Sequence, residues 1–234
     1  IFYIMTYNSR FGLLSESEVI KLNVFCIKLI KKLNKKNIVI TGEPYHTSTS
    51  KSIEHLKIYE REGNDIHAII FGEKYYSDNQ LYYHFLKINK ASKKYLLLHQ
   101  QPLEAGIKSK NENNFYSIKV LRRIFSLDKF IAMKEDAKNT NYTKRICKNL
   151  ISKKVVIITS GRGKKQWLEA KKFGCQSWLS GISNLDPRIG IKFYDLINKK
   201  DYKKINFFIK NIENEFFNLV DKYGWHLTIK SCLE

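Results

Sequence analysis

The feature that most constrains this chain is a series of short apolar runs with helical stretches between them. They read FYIMT, NIVIT, HAIIF, YLLLH, FIAMK, KVVIIT and the stretch around QSWLSG. Each is followed by roughly ten or more residues of helical pattern. Strands that are apolar throughout are buried on both faces, and strands separated by helices pair in parallel. The alternation predicts an α/β fold, a (β/α)8 TIM barrel. Seven βα units are visible, and the chain opens on Ile1 without a methionine or a preceding helix. The expectation is therefore that the first βα unit is missing from this chain.

At 234 residues, with 43% hydrophobic and 13% aromatic content, the chain can bury one large core. Barrels of this kind run to about 250 residues as a single unit. Residues 1–186 are read as barrel strands two to eight, and 187–234 as the last barrel helix and a C-terminal helical extension of the same domain. KSKNENN, at 108–114, is the one polar low-complexity patch and is read as a βα loop. No apolar stretch approaches the ~18 residues a membrane span needs, and no signal peptide is visible. A cytoplasmic protein without a membrane partner is expected.

The formal net charge of +20 raises the question of nucleic acid. Of 42 basic residues only 7 are arginine, and lysines such as Lys31, Lys32, Lys93, Lys94, Lys171, Lys172, Lys203 and Lys204 are spread along the helices. Solvated helix faces account for that distribution, so no nucleic-acid partner is expected. Cys26, Cys147, Cys175 and Cys232 lie far apart with no C-x-x-C pair and are read as reduced core thiols.

In a parallel barrel the active site is built on the C-terminal ends of the strands. The polar residues there are Tyr7, Asn8, Arg10, Glu43, Tyr75, Tyr76, His99, Gln100, Lys134, Ser160, Gly161 and Arg162. Lys134 ends the run FIAMK. A lysine amine pointing into a barrel is costly unless neutralised or used, and a low-dielectric site favours the free amine, a nucleophile toward carbonyls. The plain alternative is a lysine that snorkels out of the mouth or pairs with Glu104 or Glu43. His99 ends the preceding strand and can serve as general acid or base near neutral pH, or simply fill space. His46, His55, His67, His84 and His226 are placed on other turns and helices, and no H-x-x-x-H pair or carboxylate cluster suggests a metal. No metal or cofactor is called for.

The order of segments resembles the dihydrodipicolinate synthase and N-acetylneuraminate lyase family of class I aldolases over essentially the whole chain. FIAMKEDA is similar to the family's strand-six segment, which implies that Lys134 forms a Schiff base with pyruvate or a related 2-oxo acid. EKYYSDNQLYYHF resembles its tyrosine loop and following helix. SGRGKKQWLEAKKFGCQSWLSGISNLDPRI resembles the segment from its Ser-Gly turn to the last barrel helix. The resemblance implies that Lys134 and Tyr76 are catalytic, with Tyr76 reaching across a dimer interface; it supports the position of His99, whose catalytic role rests on the acid–base chemistry of the ring. It further implies that Tyr7, Asn8, Gly161 and Leu179 contact substrate, with Asn184 also retained; Arg162 is a substrate-binding candidate from its own motif, SGRGKK. A homo-oligomer, dimer or tetramer, is implied as well.

The departures are as informative. HQQPLEAG puts His99 where the family has its proton-relay tyrosine, and Glu104 where it has a carboxylate-binding arginine. TYNSR places Tyr7 and Asn8 at two threonine positions and Arg10 at a glutamate. The usual hydroxyl relay cannot be intact, and the anion-binding corner is expected to move. SGRGKK, at 160–165, leads from a strand into a helix and could hold a phosphate or carboxylate through backbone N–H groups and Arg162, or Arg162 could face solvent. Beyond the barrel, Ile205, Phe208, Ile209, Ile212, Phe216, Leu219 and Val220 mark an amphipathic helix. The expected activity is a Schiff-base lyase or aldolase acting on a 2-oxo acid. The alternatives are dihydrodipicolinate synthase itself and a relative that has lost catalysis and serves as a binding protein.

Overall fold

The computed structural model describes residues 1–4, 13–43, 47–70, 77–100, 115–137, 139–150, 155–160, 163–179 and 181–234. Among these residues seven strands form one parallel sheet in chain order: β1 (Phe2–Tyr3), β2 (Val39–Gly42), β3 (Ile66–Ile70), β4 (Tyr95–Gln100), β5 (Phe130–Glu135), β6 (Val156–Thr159) and β7 (Ser177–Trp178). All seven coincide with the apolar runs. Between them run α1 (Glu16–Leu33), α2 (Thr49–Glu62), α3 (Asp78–Ala91), α4 (Ile118–Ile124), α5 (Thr140–Leu150) and α6 (Gly163–Lys171), and α7 (Pro187–Asn198) follows β7.

The helices start where the sequence supplies an acceptor for their free N–H groups. Ser15 with Glu18 and Ser77 with Gln80 form reciprocal capping boxes, Ser48 and Ser117 cap α2 and α4, and Asp186 precedes Pro187 at the start of α7. Gly63, at φ 96°, ends α2 in the left-handed conformation that a side chain would resist.

Strand parity divides the core in two. Ile40, Ala68, Leu97 and Ala132 cluster on one face of the sheet, the barrel interior. Ile69, Leu96, Leu98, Met133 and Ile157 point the other way and pack with Leu81, Phe85, Ile88, Val120 and Ile146 of the helix layer. Burying a side chain of this size contributes about 1.5–3 kcal/mol, so a one-residue slip of any strand would be heavily penalised. The sheet is also curled. β1 and β4 are three strands apart, about 14 Å in a flat sheet, yet the Tyr3 hydroxyl lies 3.1 Å from His99 Nδ1.

The C-terminal segment is helical, as expected. α8 (Tyr202–Phe208) runs through a wider π-helical turn (Ile209–Glu213) into α9 (Asn214–Tyr223), and α10 (Trp225–Leu233) follows Gly224. Ile205, Phe208, Ile209, Phe216 and Val220 of the predicted stripe are buried, whereas Leu219 is exposed. Phe193 packs its ring against Trp167, Trp178 and Phe208, which ties α7 and α8 to α6 and β7. No helix among the described residues is long and apolar enough to cross a membrane.

Candidate active site

The parity that buries Leu97 and Ala132 inside the barrel also sets what lies two residues further on. His99 and Lys134 continue the interior face at the C-terminal ends of β4 and β5, and the sheet register pairs them directly. Both are buried. Lys134 Nζ is 2.6 Å from His99 Nε2 and 3.3 Å from Asp136 Oδ2. The other imidazole nitrogen meets the Tyr3 hydroxyl from across the barrel. The half-buried Tyr3 thus joins the buried His99, Lys134 and Asp136 in one polar group within the barrel. The Asp136 Oδ1 atom has no hydrogen-bond partner among the described residues.

The electrostatics keep His99 neutral. Burial, and then the charge of Lys134, hold its pKa well below the ordinary imidazole value. A neutral ring has one N–H and one bare nitrogen, so its two hydrogen bonds are coupled. If Lys134 donates to Nε2, Nδ1–H donates to Tyr3; if Tyr3 donates to Nδ1, Nε2–H donates to the Lys134 amine. Burial, with Glu43 and Asp136 nearby, pushes the Tyr3 phenol far above its usual range, so Tyr3 keeps its proton. Exchanging the two tautomers moves a proton toward or away from Nζ without creating a buried imidazolium.

Strand-end residues of the opposite parity serve the helix layer. Gln100 accepts from the Tyr142 hydroxyl of α5, and Glu135 accepts from Thr143 Oγ1 and the Ala137 N–H. Burial raises the Glu135 carboxyl to about 7. Glu43, one of the expected partners of Lys134, instead accepts from Ser52 of α2 and lies 3.5 Å from His67 Nε2. His67 sits on β3 itself, not on a turn or helix as the sequence suggested, and its Nδ1 meets Thr41 Oγ1. Among the described residues no three His, Cys, Asp or Glu side chains are placed to hold a metal ion. Cys147 and Cys175 are buried, Cys26 is half-buried, and Cys232 is exposed rather than in the core.

Of the residues named from sequence, Lys134 and His99 come together. Leu179 follows β7, with its N–H donating to Thr159, and no described contact joins it to Lys134. Asn184 lies in the short 3-10 turn Gly181–Asn184. Tyr7, Asn8, Arg10, Tyr75, Tyr76, Glu104, Gly161 and Arg162, and the 108–114 loop, lie outside the described residues. Tyr3 and Asp136 were missed. Asp136 could have been found from parity alone, two residues beyond Lys134, whereas nothing local to Tyr3 signals a partner in β4.

These features define a class: a parallel α/β barrel wall with a buried lysine amine at a strand end, hydrogen-bonded to a neutral imidazole. Solved structures place it more narrowly. A dihydrodipicolinate synthase from Oceanobacillus iheyensis superposes with a TM-score of 0.83 at 18% identity, covering 100% of this chain and 73% of the other. YagE of E. coli, a prophage protein of the dihydrodipicolinic acid synthase family solved with pyruvate, gives 0.81 at 13% identity over 99% of this chain and 74% of that one. CdNal from Clostridium difficile, solved with mannosamine, gives 0.79 at 14% identity over 97% and 73%. The chain thus has the fold of these structures. No family model matches the sequence, and no curated protein matches it.

Proposed function

We propose that this chain is a divergent dihydrodipicolinate synthase/N-acetylneuraminate lyase family member that forms an imine between Lys134 and the carbonyl carbon of a 2-oxo acid such as pyruvate. The observation that carries the reading is the 2.6 Å contact between the Lys134 amine and a neutral His99 inside the barrel. Imine formation needs a free amine, then a proton on the carbinolamine oxygen as water leaves. His99, in series with Tyr3, can take a proton from Nζ and return one, which is the task the family gives to a hydroxyl relay. Asp136, 3.3 Å from Nζ, favours the cationic iminium that follows. Pyruvate bound to the E. coli structure of the same fold supports the substrate class. The same reading makes the protein a cytoplasmic homo-oligomer, with Tyr76 crossing to a neighbouring site and Tyr7, Asn8, Gly161, Arg162 and Leu179 around the substrate.

The test is reductive trapping. Incubation with pyruvate and borohydride, followed by peptide mass spectrometry, is expected to place a stable adduct on Lys134, and Lys134→Ala is expected to abolish it. A protein left unmodified by pyruvate and by larger 2-oxo acids would refute the reading and favour the non-catalytic alternative.

A further inference from the structure

The turn between β6 and α6 follows the strand that pairs with the Lys134 strand. Lys134 is in register with Ile158, and the Ser160 N–H donates to Glu135 O. At the start of α6 the free backbone N–H groups form a natural seat for an anion. That seat is filled from within the chain. Glu213, from the π-helical turn between α8 and α9, accepts from the N–H of Lys164 at 2.8 Å and of Lys165 at 3.3 Å, and pairs with Lys164 Nζ at 3.1 Å. Glu213 and Lys164 are both buried, and the Lys164 amine also faces the rings of Phe193 and Phe208.

The fit at Gly163 is close. Its φ is +61°, and a Cβ there would lie 2.6 Å from the Glu213 carboxylate and 2.8 Å from Phe217. Only glycine lets the turn approach the carboxylate this closely. The π-helical turn sets the phase of Glu213, because the Asn214 N–H bonds back to Ile209 O, five residues earlier. Such one-turn widenings rotate a side chain out of the regular helical row, and they occur often at functional positions.

We propose that Glu213 is a positioning residue: it anchors the N-terminus of α6 through the Lys164 and Lys165 N–H groups, so that the C-terminal helices set the geometry of the 2-oxo acid pocket at the end of the neighbouring Lys134 strand. Its catalytic consequence rests on the imine-forming reading above. The anchoring itself does not. A carboxylate accepting two N–H groups and an ammonium, all out of water, is a strong and directional tie. It also occupies the Lys164 and Lys165 N–H groups at this helix N-terminus.

Two double variants separate anchoring from plain stability. Lys164→Met/Glu213→Gln keeps an oxygen acceptor for the two N–H groups but removes both charges. Lys164→Met/Glu213→Leu removes the charges and the acceptor together, and both pairs avoid an unpaired buried ion. Amide hydrogen exchange of 160–171 and the pyruvate concentration that half-saturates borohydride trapping are measured in each. The leucine variant is expected to exchange about tenfold faster at the backbone amides of positions 164 and 165. It is also expected to need several-fold more pyruvate at an unchanged limiting rate, while the glutamine variant stays at the parent's values. Exchange at parent rate in the leucine variant would overturn the anchoring. Faster exchange with unaltered half-saturation would overturn the effect on the pocket. If the parent is never trapped, the imine reading and the pocket claim both fall, and the exchange result decides the anchoring alone.

Discussion

Lys134 and Lys164 sit on neighbouring strand–helix units, both with amines withdrawn from water, and they are held in different ways. Lys164 meets Glu213 at 3.1 Å, and two backbone N–H groups share the same carboxylate. Burial lowers the Lys164 pKa and the Glu213 carboxylate opposes that shift, while the same carboxylate also holds two backbone N–H groups, which makes a structural pair. Lys134 makes its short contact to a neutral imidazole, and the carboxylate beside it, at 3.3 Å, keeps one oxygen without a partner among the described residues. A buried amine set next to a proton acceptor and an incompletely satisfied acid is arranged to change its protonation state. Burial alone does not make a lysine reactive; the difference lies in whether its partners fix the proton or can exchange it.

The largest expected effect breaks the relay. His99→Ala should slow imine trapping by about 10²- to 10⁴-fold, the usual contribution of a general acid–base group, while leaving the fold intact. Lys164→Met should leave Lys134 trappable. A His99→Ala protein trapped at the parent's rate would reduce His99 to a packing residue and remove the contrast between the two lysines.

Stability should show the opposite ranking. Removing Lys164 strands a buried carboxylate, so Lys164→Met is expected to cost about 3–5 kcal/mol in urea denaturation. Lys134→Met is expected to cost less, because the short contact it loses is to a neutral ring, although the buried Asp136 carboxylate also loses its ion pair. Equal losses would mean that Lys134 is as structural as Lys164.

Glu135, on the helix side of the same strand end, provides a pH-dependent contrast. Burial lifts its carboxyl from 4.5 to about 7. The folded state therefore holds this proton more tightly than the unfolded one. Its contribution is intact below about pH 4.5 and is lost as pH rises through about 7. Glu135→Gln mimics the protonated form, so it should change little at pH 4 and stabilise at pH 8 by on the order of 3 kcal/mol. A gain independent of pH would contradict the assignment. His99 titrates in the other sense: its depressed pKa gives stability present above pH ~6.5 and lost on acidification below it.

Tyr3→Phe should have the smallest effect. It removes one hydrogen bond, worth about 1 kcal/mol, and leaves His99 in contact with Lys134. Trapping should slow by several-fold at most, as read in a borohydride time course. A loss as large as that of His99→Ala would show that Tyr3, rather than the ring, is the terminal proton carrier.

The sequence by itself determined the strands, their parallel order and the meeting of His99 with Lys134. Apolar runs with strand spacing carry their own parity, so a residue two places beyond a buried interior position faces the same interior. That is local information, and it extends to Asp136. Only the tertiary structure decided that Tyr3 reaches His99, 96 residues away, and that Glu213 closes on Lys164, 49 residues away. The first contact depends on the curl of the sheet, and the second on a π-helical turn in a helix whose apolar stripe looked regular. It also turned Glu43 away from Lys134 and toward the helix layer. Its distance from His67 and Ser52 is set by packing across α2, which no pattern within a single run encodes.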